Sequence, residues 1–265
     1  MRVVVRVNPA YNHLKDFLKS IPVIFDEKGE TLKNDRNEIK VIEHDNLKLC
    51  IKSFKRVTAF NRYMYSWFRA SKAKRSFDVA CRLEKNGIKT PQPIAYVEVY
   101  GSWHILKKAF YISLYYDYDF DMREVLNKTI DCKERILSSF AHEMASVVHP
   151  AGAWHNDLSP GNILINRHGF DEWSFSFIDL NRLTFRRRIL PIKGLINLKK
   201  LTDNPVALAL MAEKYALEAD KSPSYYSLFL QRNSLYFTVR RFYLKKVLGV
   251  FKFRTKKKLQ KINQK

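Results

Sequence analysis

The chain has 265 residues, 46% hydrophobic and 28% charged, and its 48 Lys and Arg against 26 Asp and Glu give a formal charge of +22. That length suffices for one large domain or two lobes sharing a cleft; no run approaches the roughly 18 apolar residues of a membrane span, and the opening stretch lacks an export signal's apolar core. Cys50, Cys81 and Cys132 are isolated and show no CxxC spacing, so neither a disulfide framework nor a zinc site is expected; the expected setting is reducing cytoplasm, and the charge calls for a polyanionic partner.

In chain order, Glu38–His44 and Leu47–Phe54 alternate apolar and polar residues about the turn His44-Asp-Asn46, the pattern of a half-buried hairpin. A helix is expected over Ser71–Asn86, with Phe77, Ala80, Cys81 and Leu83 on its apolar face and Asn86-Gly87 ending it. Ile94–Tyr100 and Trp103–Tyr116 read as two further strands joined at Gly101-Ser102, which completes an antiparallel sheet carrying one helix. After the acidic, aromatic segment Tyr115–Asp121, Asp131 and Glu134 have the spacing of a capping box, and Ile136, Phe140, Met144 and Val148 recur along one helix face. The second half is mainly helical. The order predicts an α+β, two-part chain divided into residues 1–114 and 115–265.

The stretch His155-Asn-Asp-Leu-Ser-Pro-Gly-Asn162 is a polar loop leading into the apolar run Ile163–Ile165, and a second apolar run, Phe175–Ile178, delivers Asp179. Two paired strands would bring Asp157, Asn162 and Asp179 together. Phosphoryl transfer from ATP needs a carboxylate to orient an attacking hydroxyl and accept its proton, and oxygen ligands for Mg²⁺. The trio supplies both. The order His-x-Asp-x-x-x-x-Asn and then apolar-apolar-Asp resembles the protein-kinase-like superfamily. That resemblance implies a bilobal fold with ATP and Mg²⁺ as cofactors, residues 1–114 as the ATP-binding lobe and 115–265 as the catalytic and substrate lobe. It makes Asp157 the base, Asn162 and Asp179 the metal ligands, and His155 a brace for the loop.

A kinase also needs a cation on the ATP phosphates, carried on a central strand. In Cys50-Ile51-Lys52, strand alternation puts Cys50 and Lys52 on one face, so Cys50 would cover the adenine while Lys52 reaches the phosphates. Lys48 shares that face and Lys55 lies just beyond. Three departures stand out. No Gly-x-Gly-x-x-Gly occurs; Ser76 stands where the following helix should present a Glu to Lys52, leaving Asp78 as the favoured acid nearby; and Asp179 is followed by Leu-Asn. No Ala-Pro-Glu segment follows, and Asn156 replaces the Arg of regulated protein kinases, which disfavours that class.

Within the superfamily, Arg36–Lys40, Ile51–Lys55, Ser71–Phe77, Gly87–Ile94 and His155–Asn162 are similar to the bacterial lipopolysaccharide kinases of the Kdo, heptose kinase and WaaP-like group. The resemblance implies phosphorylation of a sugar hydroxyl in the lipopolysaccharide inner core, at the inner face of the cytoplasmic membrane of a Gram-negative bacterium. The partners it implies are a lipopolysaccharide or lipid A-core acceptor and an anionic membrane surface. The tail from Phe237 to Lys258 interleaves aromatic, aliphatic and basic residues, as a segment lying on such a membrane would. Arg186-Arg-Arg188 could bind acidic sugars or lipid phosphates. No nucleic-acid motif accompanies the charge, so nucleic acid is not expected. Two alternatives remain at this stage. One is a kinase for another small hydroxylated compound, using Asp117, Asp119 and Asp121; the other is a pseudokinase or interaction module.

Overall fold

The computed structural model describes residues 2–35, 37–54, 70–128 and 130–262, with side chains described as far as 244 and at 246. Arg36 and Lys55, singled out above, lie outside these residues. Contacts divide the chain into two compact units, Met1–Met122 with Ala151–Asp157 and Gly161–Arg187, and Arg123–Pro150 with Leu158–Pro160 and Arg188–Lys265. This differs from a single cut at residue 114, because residues 151–157 and 161–187 group with the first unit.

In the first unit, β1 (Arg2–Val7), β2 (Glu30–Asn34), β3 (Glu38–His44), β4 (Leu47–Ser53), β5 (Pro93–Tyr100) and β6 (Leu106–Leu114) form one antiparallel sheet. Its strand order is β1-β5-β6-β4-β3-β2. The β3–β4 hairpin closes through Asp45 and Asn46, both at left-handed φ of 51° and 59°, a conformation their short polar side chains tolerate. Strand β6 starts later than expected because Ser102–His104 make a turn in which Trp103 and His104 take positive φ.

Among the described residues two α-helices accompany the sheet, where the order of sequence patterns suggested one. In α1 (Lys15–Glu27), Leu18, Ile21 and Phe25 continue the spacing of Leu14 and are buried with Ile51, Val97, Val99, Phe110 and Ile112. Each such side chain contributes about 1.5–3 kcal/mol on burial. The second helix, α2 (Lys72–Lys85), is capped by Ser71, whose hydroxyl accepts the Lys74 N–H, and ends at Asn86 before Gly87 at φ +70°. Phe77 of α2 meets Tyr96 edge-on. Because neighbouring strand residues point to opposite faces, Val97 packs with α1 and Tyr96 with α2. Ile51 faces the α1 core, so Lys52 lies on the α2 side.

Two smaller antiparallel sheets complete this unit. The first orders β7 (Phe120–Asp121), β9 (Ile163–Arg167) and β10 (Trp173–Phe177) with β9 in the middle; the second pairs β8 (Ala153–His155) with β11 (Leu183–Phe185). Asp119 Oδ2 accepts the Arg167 N–H at 2.7 Å, and the Asp117 carbonyl accepts from Asn166. Part of the acidic segment is thus committed to holding β9.

The second unit contains all but the first residue of α3 (Met122–Asn127), with α4 (Lys133–Glu143), α5 (Pro191–Asn197), α6 (Pro205–Glu218) and α7 (Pro223–Ile262). The expected capping box does not form. Cys132, at φ 63°, is the N-cap of α4 and makes no side-chain cap bond. Ile136, Phe140, Met144 and Val148 are nevertheless all buried, the last two on a π turn that continues α4. Buried His149 meets the Tyr215 hydroxyl through Nδ1 at 2.7 Å and Asn197 Oδ1 through Nε2 at 3.4 Å. Tyr226, Leu230 and Ser234 form the buried line of α7. From Leu235 to Leu244 only Phe237 is even partly covered. No described helix is long and apolar enough to cross a membrane.

Candidate active site

A cavity of about 920 Å³ in the first unit is lined by Cys50, Lys52, Asn162 and Asp179, together with Ser76, Tyr111 and the β2–β3 turn. Its size falls within the range of small-molecule sites. Four of the expected site residues therefore share one cavity. Cys50 and Lys52 reach it together because they are two apart on β4, whereas Lys48 remains exposed and lies 3.9 Å from Glu43. Burial pushes the Cys50 thiol up to about 11 against the opposing charge of Lys52, so it remains protonated and lines the wall as a small, weakly polar group.

Asp179 follows β10 in the left-handed conformation, φ 58°. That turn brings its Oδ1 to 2.5 Å from Lys52 Nζ and 2.8 Å from Asn181 Nδ2. Burial works against the Asp179 anion, but the Lys52 charge and hydrogen bond outweigh it and hold the carboxyl below its ordinary range. The carboxylate is ready-made for a cation.

His155 is buried, and its ring settles the geometry of two segments. Its Nδ1 accepts the Asp157 N–H at 3.2 Å, which leaves Nε2 to carry the proton and donate to the Ile178 carbonyl at 3.1 Å. One imidazole thus ties the loop bearing Asp157 to the strand end bearing Asp179. Asn162 Nδ2 donates to the Asp157 carbonyl at 3.0 Å, and the Asn162 carbonyl accepts the Ile178 N–H at 3.0 Å. With its amide nitrogen engaged, Asn162 has Oδ1 as its ligating atom. Asp157 Oδ2 is 3.0 Å from Arg182 Nη1.

One expected contact is absent. Asp78 is paired with Lys74 at 2.7 Å and is half exposed, whereas Ser76, two residues earlier on α2, is buried and lines the cavity. The helix turns about 100° per residue, so Ser76 and Asp78 cannot face the same way, and Asp78 is corrected to a surface residue. The position expected to present a glutamate holds only a hydroxyl, which donates to the Lys72 carbonyl. Lys52 has Asp179 as its partner instead.

The sequence reading missed Asn181 and Arg182, which contact the two key carboxylates, and also Lys33, Asn34, Asp35 and Asn37, which bring the β2–β3 turn over the cavity. This turn contains no glycine. The Tyr111 hydroxyl is buried without a hydrogen-bond partner and also lines the cavity. An unsatisfied buried donor of this kind is costly unless a ligand or water meets it.

Asp179 and Asn162 present hard oxygens, and Mg²⁺ takes one or two carboxylates and completes its shell with phosphate and water. The described residues contain no group of three or more His, Cys, Asp or Glu able to hold a metal by themselves. A Mg²⁺ site shared with a nucleotide fits the donors present.

The family model of the lipopolysaccharide kinase (Kdo/WaaP) family matches residues 35–204. The chain belongs to this family. It is accordingly an ATP-dependent phosphotransferase acting on lipopolysaccharide, and the matched residues include every site residue named above except Lys33 and Asn34. No curated protein matches the chain. Among solved structures, WaaP in complex with acyl carrier protein aligns over 88% of this chain and 98% of that one, with TM-score 0.57 and 16% identity. At that identity the likeness concerns the fold, which is α+β and protein-kinase-like. A MAP kinase of Leishmania major, LmaMPK10, aligns with TM-score 0.45 and 15% identity over 84% of this chain and 66% of that one. The Rio2 kinase complex with ADP/Mg²⁺ and phosphoaspartate from Chaetomium thermophilum aligns with TM-score 0.46 and 11% identity over 86% and 67%. Both fits are too loose to carry an argument.

Proposed function

We propose that this lipopolysaccharide kinase transfers the terminal phosphoryl group of ATP to a hydroxyl of an inner-core sugar, Kdo or heptose, with Mg²⁺ as metal. The observation that carries the reading is the linked set Lys52–Asp179 and His155–Asp157–Asn162. Asp157 orients the acceptor hydroxyl and takes its proton as the new oxygen–phosphorus bond forms and the bond to the departing ADP oxygen breaks. Arg182 steadies the Asp157 carboxylate, and Lys52 offers a cation to the phosphates. Mg²⁺, when bound through Asn162 and Asp179, would neutralise charge on the terminal phosphates. His155 fixes the separation of the base and the metal ligand without touching substrate.

The reading includes a place at the inner face of the cytoplasmic membrane of a Gram-negative bacterium. Exposed Leu235, Tyr236, Phe242, Tyr243 and Leu244 on α7, interleaved with Arg240, Arg241 and Lys246, support it. Apolar groups flanked by cations suit an anionic bilayer.

The test is phosphate incorporation from labelled ATP into two purified glycolipids, one ending in Kdo and one carrying heptose as well. Incorporation into at least one, lost without Mg²⁺ and in Asp179→Asn, is expected. If ATP binds and neither glycolipid is labelled, the acceptor assignment is wrong.

A further inference from the structure

Lys72 occupies the first position of α2, immediately after the capping Ser71. Its ammonium lies 6.0 Å from the centroid of the Phe54 ring, and that of Lys52 lies 5.5 Å from the same centroid. Phe54 is buried, so the ring is a fixed platform for both cations. Lys74, two residues on, is neutralised by Asp78, but no described carboxylate pairs with Lys72. One turn further along α2, Ser76 lines the nucleotide cavity. The helix face where a kinase would present an acid to its lysine thus carries a hydroxyl and a second cation.

The surroundings of this cation are unfavourable in the protein alone. Burial draws the Lys72 ammonium below its ordinary range; Arg75, Arg182 and Lys52 act in the same direction, with only Asp179 opposing. A half-buried cation crowded by other cations gains most from an incoming anion. The ligand that the site is built for carries a chain of phosphates, and the β2–β3 turn above it has no glycine with which to wrap backbone N–H groups closely around them.

We propose that Lys72 is a second phosphate-binding cation of the nucleotide site, acting with Lys52 on the terminal phosphates of ATP and replacing the missing glycine loop. The inference rests on the ATP-dependent reading of the same cavity. It predicts a site whose affinity comes from side-chain charge, and therefore one that is sensitive to salt.

Equilibrium binding of ATP, ADP and adenosine to the full chain tests it, using wild type, Lys72→Gln, Lys72→Arg and the control Asp78→Ala, each checked for folding by circular dichroism. In Lys72→Gln, ATP affinity should fall by about 10- to 100-fold, the range for losing a hydrogen bond to a charged group. ADP should fall less and adenosine not at all. Lys72→Arg should recover most of the loss, and Asp78→Ala should bind as wild type. A folded Lys72→Gln protein that binds ATP normally, or loses adenosine as strongly as ATP, overturns the proposal. Wild type that binds no ATP would instead remove the reading beneath it.

Discussion

Replacing Asp157 by Asn separates catalysis from folding. The Asp157–Arg182 pair is half exposed, with side-chain accessibilities of 37% and 59%. Ion pairs in such settings contribute about 0.2–1 kcal/mol, and Asn keeps an oxygen able to accept from Arg182. The Asp157 N–H bond to His155 and the Asp157 carbonyl bond from Asn162 belong to the backbone and survive the change. The variant should therefore unfold within ~1 kcal/mol of wild type, a Tm shift of about 2–4 °C at this chain length, and bind ATP unchanged. The rate should fall by about 10²–10⁴-fold, the usual contribution of a general base. Initial rates of labelled phosphate transfer at saturating ATP, alongside thermal unfolding, give both numbers. A rate within tenfold of wild type would refute Asp157 as the base; a large loss matched by unfolding would refute the claim that its role is chemical.

Burial lowers the pKa of His149 from 6.5 to about 4, against the opposing effect of the hydrogen bond from its Nε2 to Asn197 Oδ1. The unfolded chain then binds more protons below pH 6.5, so the contribution of this group is intact above that pH and is lost as the pH falls toward 4. Between pH 7 and 5 the loss is about 2 kcal/mol, and His149→Gln should flatten that part of a plot of denaturant midpoint against pH. Gly152 and Gly87 both have positive φ, +79° and +70°, but a Cβ at Gly152 would collide with the Arg186 carbonyl oxygen while one at Gly87 meets nothing within 4 Å. Gly87→Ala should cost only about 1–2 kcal/mol in stability. Gly152→Ala should cost more and also lower activity, because β8 and β11 lead to Asp157 and away from Arg182; equal costs in the two variants would contradict this account.

The legible parts of the sequence were those in which a local pattern has one structural solution. Alternation about Asp45-Asn46 admits a tight hairpin, and Ser71 and Asn86-Gly87 bound a helix, so β3, β4 and α2 fall close to their expected places. The segment His155–Asn162 and the later Asp179 stood out because the proposed chemistry itself sets the spacing of an acid, an amide and a second acid. By contrast, β1 is held by its pairing with β5, a partner some 90 residues away; its valines favour a strand locally, but nothing local names the partner. Helix α1 has a readable line in Leu14, Leu18, Ile21 and Phe25, yet Pro22 within it argues locally for a break; packing on the sheet overrides that signal.

The same distinction explains the errors at the site. Asp78 was selected by proximity in sequence, while its orientation is set by the burial of Phe77, Ala80 and Leu83, which turns it outward. Asn181 and Arg182 reach the two carboxylates only because Asp179 adopts the left-handed conformation and reverses the chain there. A sequence shows that an aspartate ends a strand, but not that the chain then bends back over it. The departures from the kinase pattern also acquire a common cause in this geometry. With a serine on α2 in place of the acid, Lys52 pairs with Asp179, and no described carboxylate pairs with Lys72 on the same helix. If Lys72 binds phosphate as proposed, loss of the acid and loss of the glycine loop compensate each other: the first frees positive charge at the place where the second leaves negative charge uncovered.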